Sequence, residues 1–174
     1  MKKLLFLCGS LRAASSSRAT VRSLEASLKG KCVIEHADIA SLPFYNADIT
    51  DDPNVQRLID QIDAADGLLF VTPEYNYSVP GLLKNAIDWA SRPAYQSVFK
   101  SRKCFVISVS GGLLGGVRAQ SHLKYILNGM LAEVFPWQEV AITQANAKVK
   151  DGVLADEAVI DFATQAVEAF IESL

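Results

Sequence analysis

The sequence predicts a doubly wound α/β fold, a five-stranded parallel sheet covered by helices on both faces. Two observations carry that expectation. Short continuous apolar runs alternate along the chain with segments whose apolar residues recur at helical spacing. Three unusual loops, one serine-rich, one framed by prolines and one glycine-rich, each begin where an apolar run ends. The 174 residues, half of them hydrophobic and 21% charged, suit one globular domain over residues 1–174 and are too few for two ordinary ones.

Leu4 to Cys8 reads as the first strand, and Val21, Leu24 and Leu28 mark the buried stripe of the helix after it. Val33 to Ala37 is the second strand. Beyond a polar stretch holding Pro43 and Pro53, the residues Val55, Leu58, Ile59 and Ile62 define a second helix ending near Asp66-Gly67. Leu68 to Thr72 is continuous and apolar, as a strand buried on both faces should be, and Pro73 stops it. Pro80 suits the first turn of a third helix, whose inner face is Leu82, Leu83, Ala86, Ile87 and Ala90. Lys103 to Val109 is the fourth strand, and Leu123, Ile126, Leu127 and Met130 line the fourth helix. Glu139 to Thr143 is a short fifth strand, and Asp156 to Leu174 closes the chain as a helix with Val159, Ala163, Val167 and Phe170 inward. Five strands with intervening helices favour the flavodoxin-like three-layer α/β/α sandwich, strand order 2-1-3-4-5. Ligands of that fold sit beyond the carboxyl ends of strands 1, 3 and 4.

The three unusual loops therefore converge on one edge. Gly9 to Arg18 joins the first strand to the first helix, whose free amides and dipole favour an anion. Ser10, Ser15, Ser16 and Ser17 add hydroxyl donors, and Arg12 adds a charged planar fork matched to phosphate oxygens. The plainer role for the same residues is helix capping by the serines and a solvated charge at Arg12. Their place at the end of the first strand favours a ligand. Pro73 to Gly81 holds Glu74, Tyr75, Asn76 and Tyr77 between two prolines. That stiff backbone can hydrogen-bond a flat polar ring, and its tyrosines can flank the ring or anchor a partner subunit. Ser110 to Gly116 is glycine-rich, so a ligand can approach the backbone of Ser110, Gly111 and Gly112 closely.

Other chemistries fall away on composition and spacing. A net charge of -2 without a basic block leaves no footprint for nucleic acid, and no apolar run reaches membrane-spanning length. Leu4 to Cys8 is too short for the apolar core of a secretory leader. Cys8, Cys32 and Cys104 lack metal-type spacing and read as reduced core thiols of a cytoplasmic protein. His36 and His122 stand alone, so no metal site is expected. The glycine loop is no nucleotide P-loop, because Gly116 is followed by Val117-Arg118, and it lacks Gly-x-Gly-x-x-Gly spacing. A low-molecular-weight tyrosine phosphatase needs an arginine six positions after its cysteine, where Cys8 finds Ala14. No Gly-x-Ser-x-Gly nucleophile elbow occurs. Glu74 and Asp88 do not read as a carboxylate pair, since Asp88 has Lys84 one helical turn back.

Gly9-Ser10-Leu11-Arg12, Pro73-Glu74-Tyr75-Asn76 with Pro80 to Trp89, and Gly111 to Gly116 with Arg118-Ala119-Gln120 resemble the NAD(P)H-dependent FMN reductase family. That family includes quinone, chromate and azo-dye reductases, and the likeness runs in order over nearly the whole chain. The resemblance implies non-covalently bound FMN, with NADPH or NADH as co-substrate. It implies Ser10, Arg12, Ser15 and Ser17 at the FMN phosphate, with Ser16 in the same cluster. Pro73, Glu74, Tyr75 and Asn76 then line the isoalloxazine ring, and Ser110, Gly111 and Gly112 close its other side. Relatives often carry glycine before the serine and asparagine before the arginine where this chain has Ala14 to Arg18. Which serine makes each phosphate contact is thereby left open. In such enzymes a nicotinamide gives the flavin a hydride and leaves, and a quinone or similar small acceptor takes two electrons. No side chain is named as a catalytic acid or base. The resemblance also implies a homodimer or homotetramer, with the third helix, Trp89 and Tyr95 as the candidate surface; the alternative is a monomer that buries Trp89 in its own core. The rival of another class is an electron-carrier flavoprotein with protein partners. Such carriers tend to be strongly acidic around the flavin, and the small net charge argues against one.

Overall fold

A computed structural model describes residues 1–174. β1 (Lys3–Cys8), β3 (Gly67–Pro73) and β4 (Lys103–Val109) form the centre of a parallel sheet, with β2 (Val33–His36) on the edge beside β1. With β5 (Glu133–Val134) on the far edge, the order is β2-β1-β3-β4-β5, as expected. In register, Leu5 stands opposite Leu68, and Leu68 opposite Cys104.

The central strands are apolar throughout because both faces are covered. Leu4, Phe6, Leu69, Val71, Phe105 and Ile107 belong to one core layer, with residues of α1 (Ser16–Ser27) and α5 (Glu157–Ser173). Leu5, Leu7, Leu68, Phe70, Cys104 and Val106 alternate into the other, with residues of α2 (Pro53–Ala64), α3 (Gly81–Ala90) and α4 (Val117–Gly129). The helices begin where the sequence offers caps. Ser15 accepts the Arg18 amide at 3.2 Å, Asp52 accepts those of Asn54 and Val55 at 2.9 and 3.1 Å, and Asp156 accepts that of Val159 at 3.2 Å. Pro80 caps α3 from outside, with ψ of 139°, and does not enter its first turn.

The fifth sheet position differs from the expectation. It is filled by two segments, β5 (Glu133–Val134) and β6 (Val140–Ile142), both parallel to β4. The expected strand at Glu139 to Thr143 is β6 alone. β5 is too short to show an alternation, and Pro136, which has no amide to donate, lies between the two. A 3-10 turn (Ala145–Lys148) follows, then a hairpin of β7 (Val149–Lys150) and β8 (Val153–Leu154). Its turn residues Asp151 and Gly152 take φ of 49° and 79°, and that Asp-Gly pair was the one signal for it in the sequence.

Trp89 is corrected from a subunit surface to the interior. It is 6% exposed, its indole N–H donates to the Pro43 carbonyl at 2.8 Å, and its ring meets Tyr45 edge-on at 5.0 Å. The Pro43–Tyr45 segment covers it, a long-range contact invisible to local periodicity. Tyr95 remains exposed. No helix is long and apolar enough to cross a membrane.

Phe170 fastens α5 to the sheet. It is fully buried, with its ring centroid 5.8 Å from Phe105 and 5.6 Å from Phe135. Phe170→Ala is expected to lower stability by about 3–5 kcal/mol through lost transfer energy and the cavity left behind. Urea unfolding checks this as a lower midpoint at unchanged slope.

Candidate functional site

The chain leaves the sheet in a fixed way at the end of β1. The Gly9 amide donates to the Val71 carbonyl at 2.9 Å, and the Ser15 amide donates back to the Arg12 carbonyl at 3.0 Å, which sets the start of α1. Ser10, Ser15, Ser16 and Ser17 are all buried, unusual for four hydroxyls so close in sequence. Ser16 donates to Asn146 Oδ1 at 2.8 Å. The Ser10 hydroxyl reaches only that of Tyr75, at a long 3.5 Å, and the Ser17 hydroxyl makes no hydrogen bond within the chain. Arg12 is exposed and forms no ion pair. The first amides of α1 precede any intrahelical acceptor and point toward this edge.

These groups surround a cleft of about 160 Å³. Of the residues singled out from the three loops, all but Asn76, Tyr77 and Gly112 line it, joined by Val109 and Asn146. Asn146 was missed because only the loops after strands 1, 3 and 4 were considered. It comes from the 3-10 turn after β6, which ends at the same edge of the sheet. Its amide nitrogen lies 2.6 Å from where a Cβ on Gly111 would stand, so glycine there leaves room for the Asn146 side chain.

The loop after β3 is a tight turn. Tyr75 and Ser78 exchange backbone hydrogen bonds of 3.0 and 3.1 Å, with Asn76 and Tyr77 between them at φ of 48° and 65°. Glu74 lines the cleft, yet its carboxylate is engaged elsewhere, accepting the Arg118 and Ala119 amides at 3.0 and 3.3 Å. Arg118 was not singled out for this part, since nothing local in the sequence links it to Glu74. Lys84 and Asp88 form the expected helix-surface pair at 2.7 Å.

A larger cavity of about 690 Å³ lies beside α2 and α3, lined by Tyr45, Val55, Ile59, Trp89 and Arg92 among others, and shares no residue with the serine cleft. Size alone favours it, and chemistry favours the smaller one: in the larger cavity Asp52 already caps the α2 N-terminus and Arg92 donates to the Tyr45 hydroxyl, whereas the serine cleft combines clustered hydroxyls, the first α1 amides and an unpaired arginine. Cys8 lies at the end of β1, half-buried, and burial pushes its thiol up, so at neutral pH it is no ready nucleophile.

The donor set suits a phosphate. The Ser10, Ser15 and Ser17 hydroxyls, the α1 amides and Arg12 all favour negative charge, and the one acid of the lining, Glu74, faces α4. The cleft's volume is that of a phosphate and a short attached chain, and Pro73 to Tyr75 and Ser110 with Gly111 line it.

The NADPH-dependent FMN reductase family matches residues 2–147. An NAD(P)H-dependent FMN reductase of Pseudomonas aeruginosa is 41% identical, over 96% of this chain and 92% of that protein. A quinone reductase of Escherichia coli is 36% identical, over 95% and 92%. Among solved structures, the flavoenzyme NAD(P)H:(acceptor) oxidoreductase of Paracoccus denitrificans superposes with a TM-score of 0.89 at 36% identity, covering 99% of this chain and 96% of that one. An FMN-dependent NADH-azoreductase of Bacillus anthracis, solved with FMN, shares the fold at a TM-score of 0.65 and 16% identity, over 99% of each chain. With the family matched over most of its length and relatives this similar across nearly all of it, the chain belongs to the NADPH-dependent FMN reductases.

Proposed function

We propose that the chain moves a hydride from NADPH or NADH onto non-covalently held FMN, and two electrons onward to a quinone or similar small acceptor. The observation that carries this reading is the serine cleft at the switch edge of the sheet, whose donors match a phosphate and whose volume leaves a flavin ring at its mouth. The quinone reductase relative supports the acceptor class. When bound, FMN supplies the redox chemistry, and the residues bind and orient.

In this reading the Ser10, Ser15 and Ser17 hydroxyls and the first amides of α1 hold the phosphate, while Arg12 neutralises it from the solvent side. Ser16 directs its single proton to Asn146, so its part is indirect, and the Asn146 amide nitrogen donates in its place. Pro73, Glu74, Tyr75 and Asn76 border one side of the ring through backbone and aromatic atoms, and Ser110, Gly111 and Gly112 border the other. Three free thiols support a reducing, cytoplasmic setting. Exposed Tyr95 and Phe44, 66% and 91% accessible, support a homodimer or homotetramer.

The purified protein is expected to be yellow or to take up added FMN, to bleach rapidly with NADPH or NADH under anaerobic conditions, and to recover its colour on adding a quinone. A colourless protein that ignores FMN overturns the reading, and slow bleaching points to a carrier of single electrons. Arg12→Ala is expected to weaken FMN binding by about 10- to 150-fold, the equivalent of one charge-assisted hydrogen bond, in a fluorescence titration. Asn146→Asp keeps an acceptor for Ser16 but sets a negative oxygen against the phosphate. FMN affinity is expected to fall at least about tenfold, and an unchanged titration removes Asn146 from the phosphate site.

A further inference from the structure

One carboxylate joins the two loops on either side of the ring slot. Glu74 follows β3 directly, and its Oε2 accepts the Arg118 and Ala119 amides at 3.0 and 3.3 Å, while its Oε1 faces the Arg118 guanidinium at 3.4 Å. α4 depends on that carboxylate because its own cap is Gly116, which has no side chain to offer. Gly116 also permits the approach. Its φ is +82°, and a Cβ there would stand 3.2 Å from the Ser108 Cβ and 3.6 Å from the Glu74 Cβ.

The same guanidinium lies over the Tyr77 ring, 4.7 Å from its centroid. Tyr77 is the residue of the turn that most needs holding, since a bulky side chain at φ of 65° is strained. Glu74, Arg118 and Tyr77 thus form a continuous chain of contacts from the glycine loop's helix to the turn after β3. The Glu74 side chain is 14% exposed, and its oxygens are occupied by α4 and Arg118.

We propose that Glu74 is a positioning residue that sets the spacing between the two loops of the ring slot, with Arg118 carrying the connection to the Tyr77 turn. The inference rests on the flavin-site reading above. Both walls of the slot then hold their places before the cofactor arrives, and loss of the carboxylate loosens the turn after β3 and the start of α4 together, while Ser110 and Gly112 keep their backbone bonds to Ile142, Gln144 and Ala145 and Ser78 keeps His122 at 3.0 Å. Its carboxylate is not itself a flavin ligand.

Hydrogen exchange on the FMN-free and FMN-loaded protein, read over residues 74–79 and 113–120, tests this together with flavin titration. Glu74→Ala is expected to speed exchange in both segments without FMN, to weaken FMN binding about tenfold, and to alter the visible circular dichroism of the bound flavin. Glu74→Gln keeps an oxygen for the amides without the charge and is expected to move each readout the same way by less. Arg118→Ala is expected to speed exchange over 74–79 more than at the start of α4. Faster exchange in one segment only in Glu74→Ala overturns the proposal. Weaker FMN binding with unchanged exchange also overturns it, by making Glu74 a direct ligand. Arg12→Ala separates the two readings. If it weakens FMN binding while Glu74→Ala changes nothing, only the positioning role fails; if neither variant affects FMN, the flavin site itself fails. Should Glu74→Ala not fold, Glu74→Gln and Arg118→Ala carry the same comparison.

Discussion

Parallel pairing of β1, β3 and β4 is the constraint on which the remainder depends. Strands that run the same way leave the sheet at the same edge, and each right-handed crossover starts its helix there with amides that have no intrahelical acceptor. The edge therefore collects uncompensated N–H groups whatever the loop sequences are. What the loops decide is who satisfies them. At α1 the cap is Ser15, which takes the Arg18 amide and leaves the preceding ones facing the cleft. At α4 the protein supplies its own anion, Glu74, to the Arg118 and Ala119 amides.

That division explains how an acid can line a cleft whose other groups favour an anion. A free carboxylate beside a phosphate would repel it by roughly 4 kcal/mol at 4 Å with an effective dielectric near 20. Glu74 is turned to a helix N-terminus and a guanidinium, so its charge is compensated within hydrogen-bond distance. The serine loop, by contrast, keeps buried hydroxyls and an exposed Arg12 without a carboxylate partner. One edge thus carries one satisfied helix end and one reserved for a ligand.

How much was legible in the sequence follows from the range of the forces involved. The central strands were readable because burial on both faces demands unbroken apolar runs, as in Leu68 to Thr72. The helices were readable because Val21, Leu24 and Leu28, or Ala163, Val167 and Phe170, repeat at the helical period. β5 and the β7–β8 hairpin were not, since two-residue strands contain no period. The loop residues that gather at the cleft were legible as types at strand ends, but their partners were not. Glu74 to Arg118, Ser16 to Asn146 and Trp89 to Pro43 are contacts between distant segments, and no local pattern encodes them.

The rim of the site is a different kind of surface from its floor. Leu11, Tyr75, Tyr77, Leu113 and Leu114 are all at least half exposed and belong to the three loops, so the loops that supply the polar cleft also present apolar and aromatic groups to solvent. Apolar contact is non-directional, and a hydrophobic site separates molecules differing by one methylene by only about 1–3 kcal/mol. A planar acceptor of almost any outline can rest against such a rim. On the reading proposed above, directional contacts lie deeper, at the serine loop and Asn146, where they act on the phosphate end of the cofactor and not on the acceptor. On the proposed reading, selection is then strict at the floor, for a phosphate-bearing flavin, and loose at the mouth, where the acceptor is met.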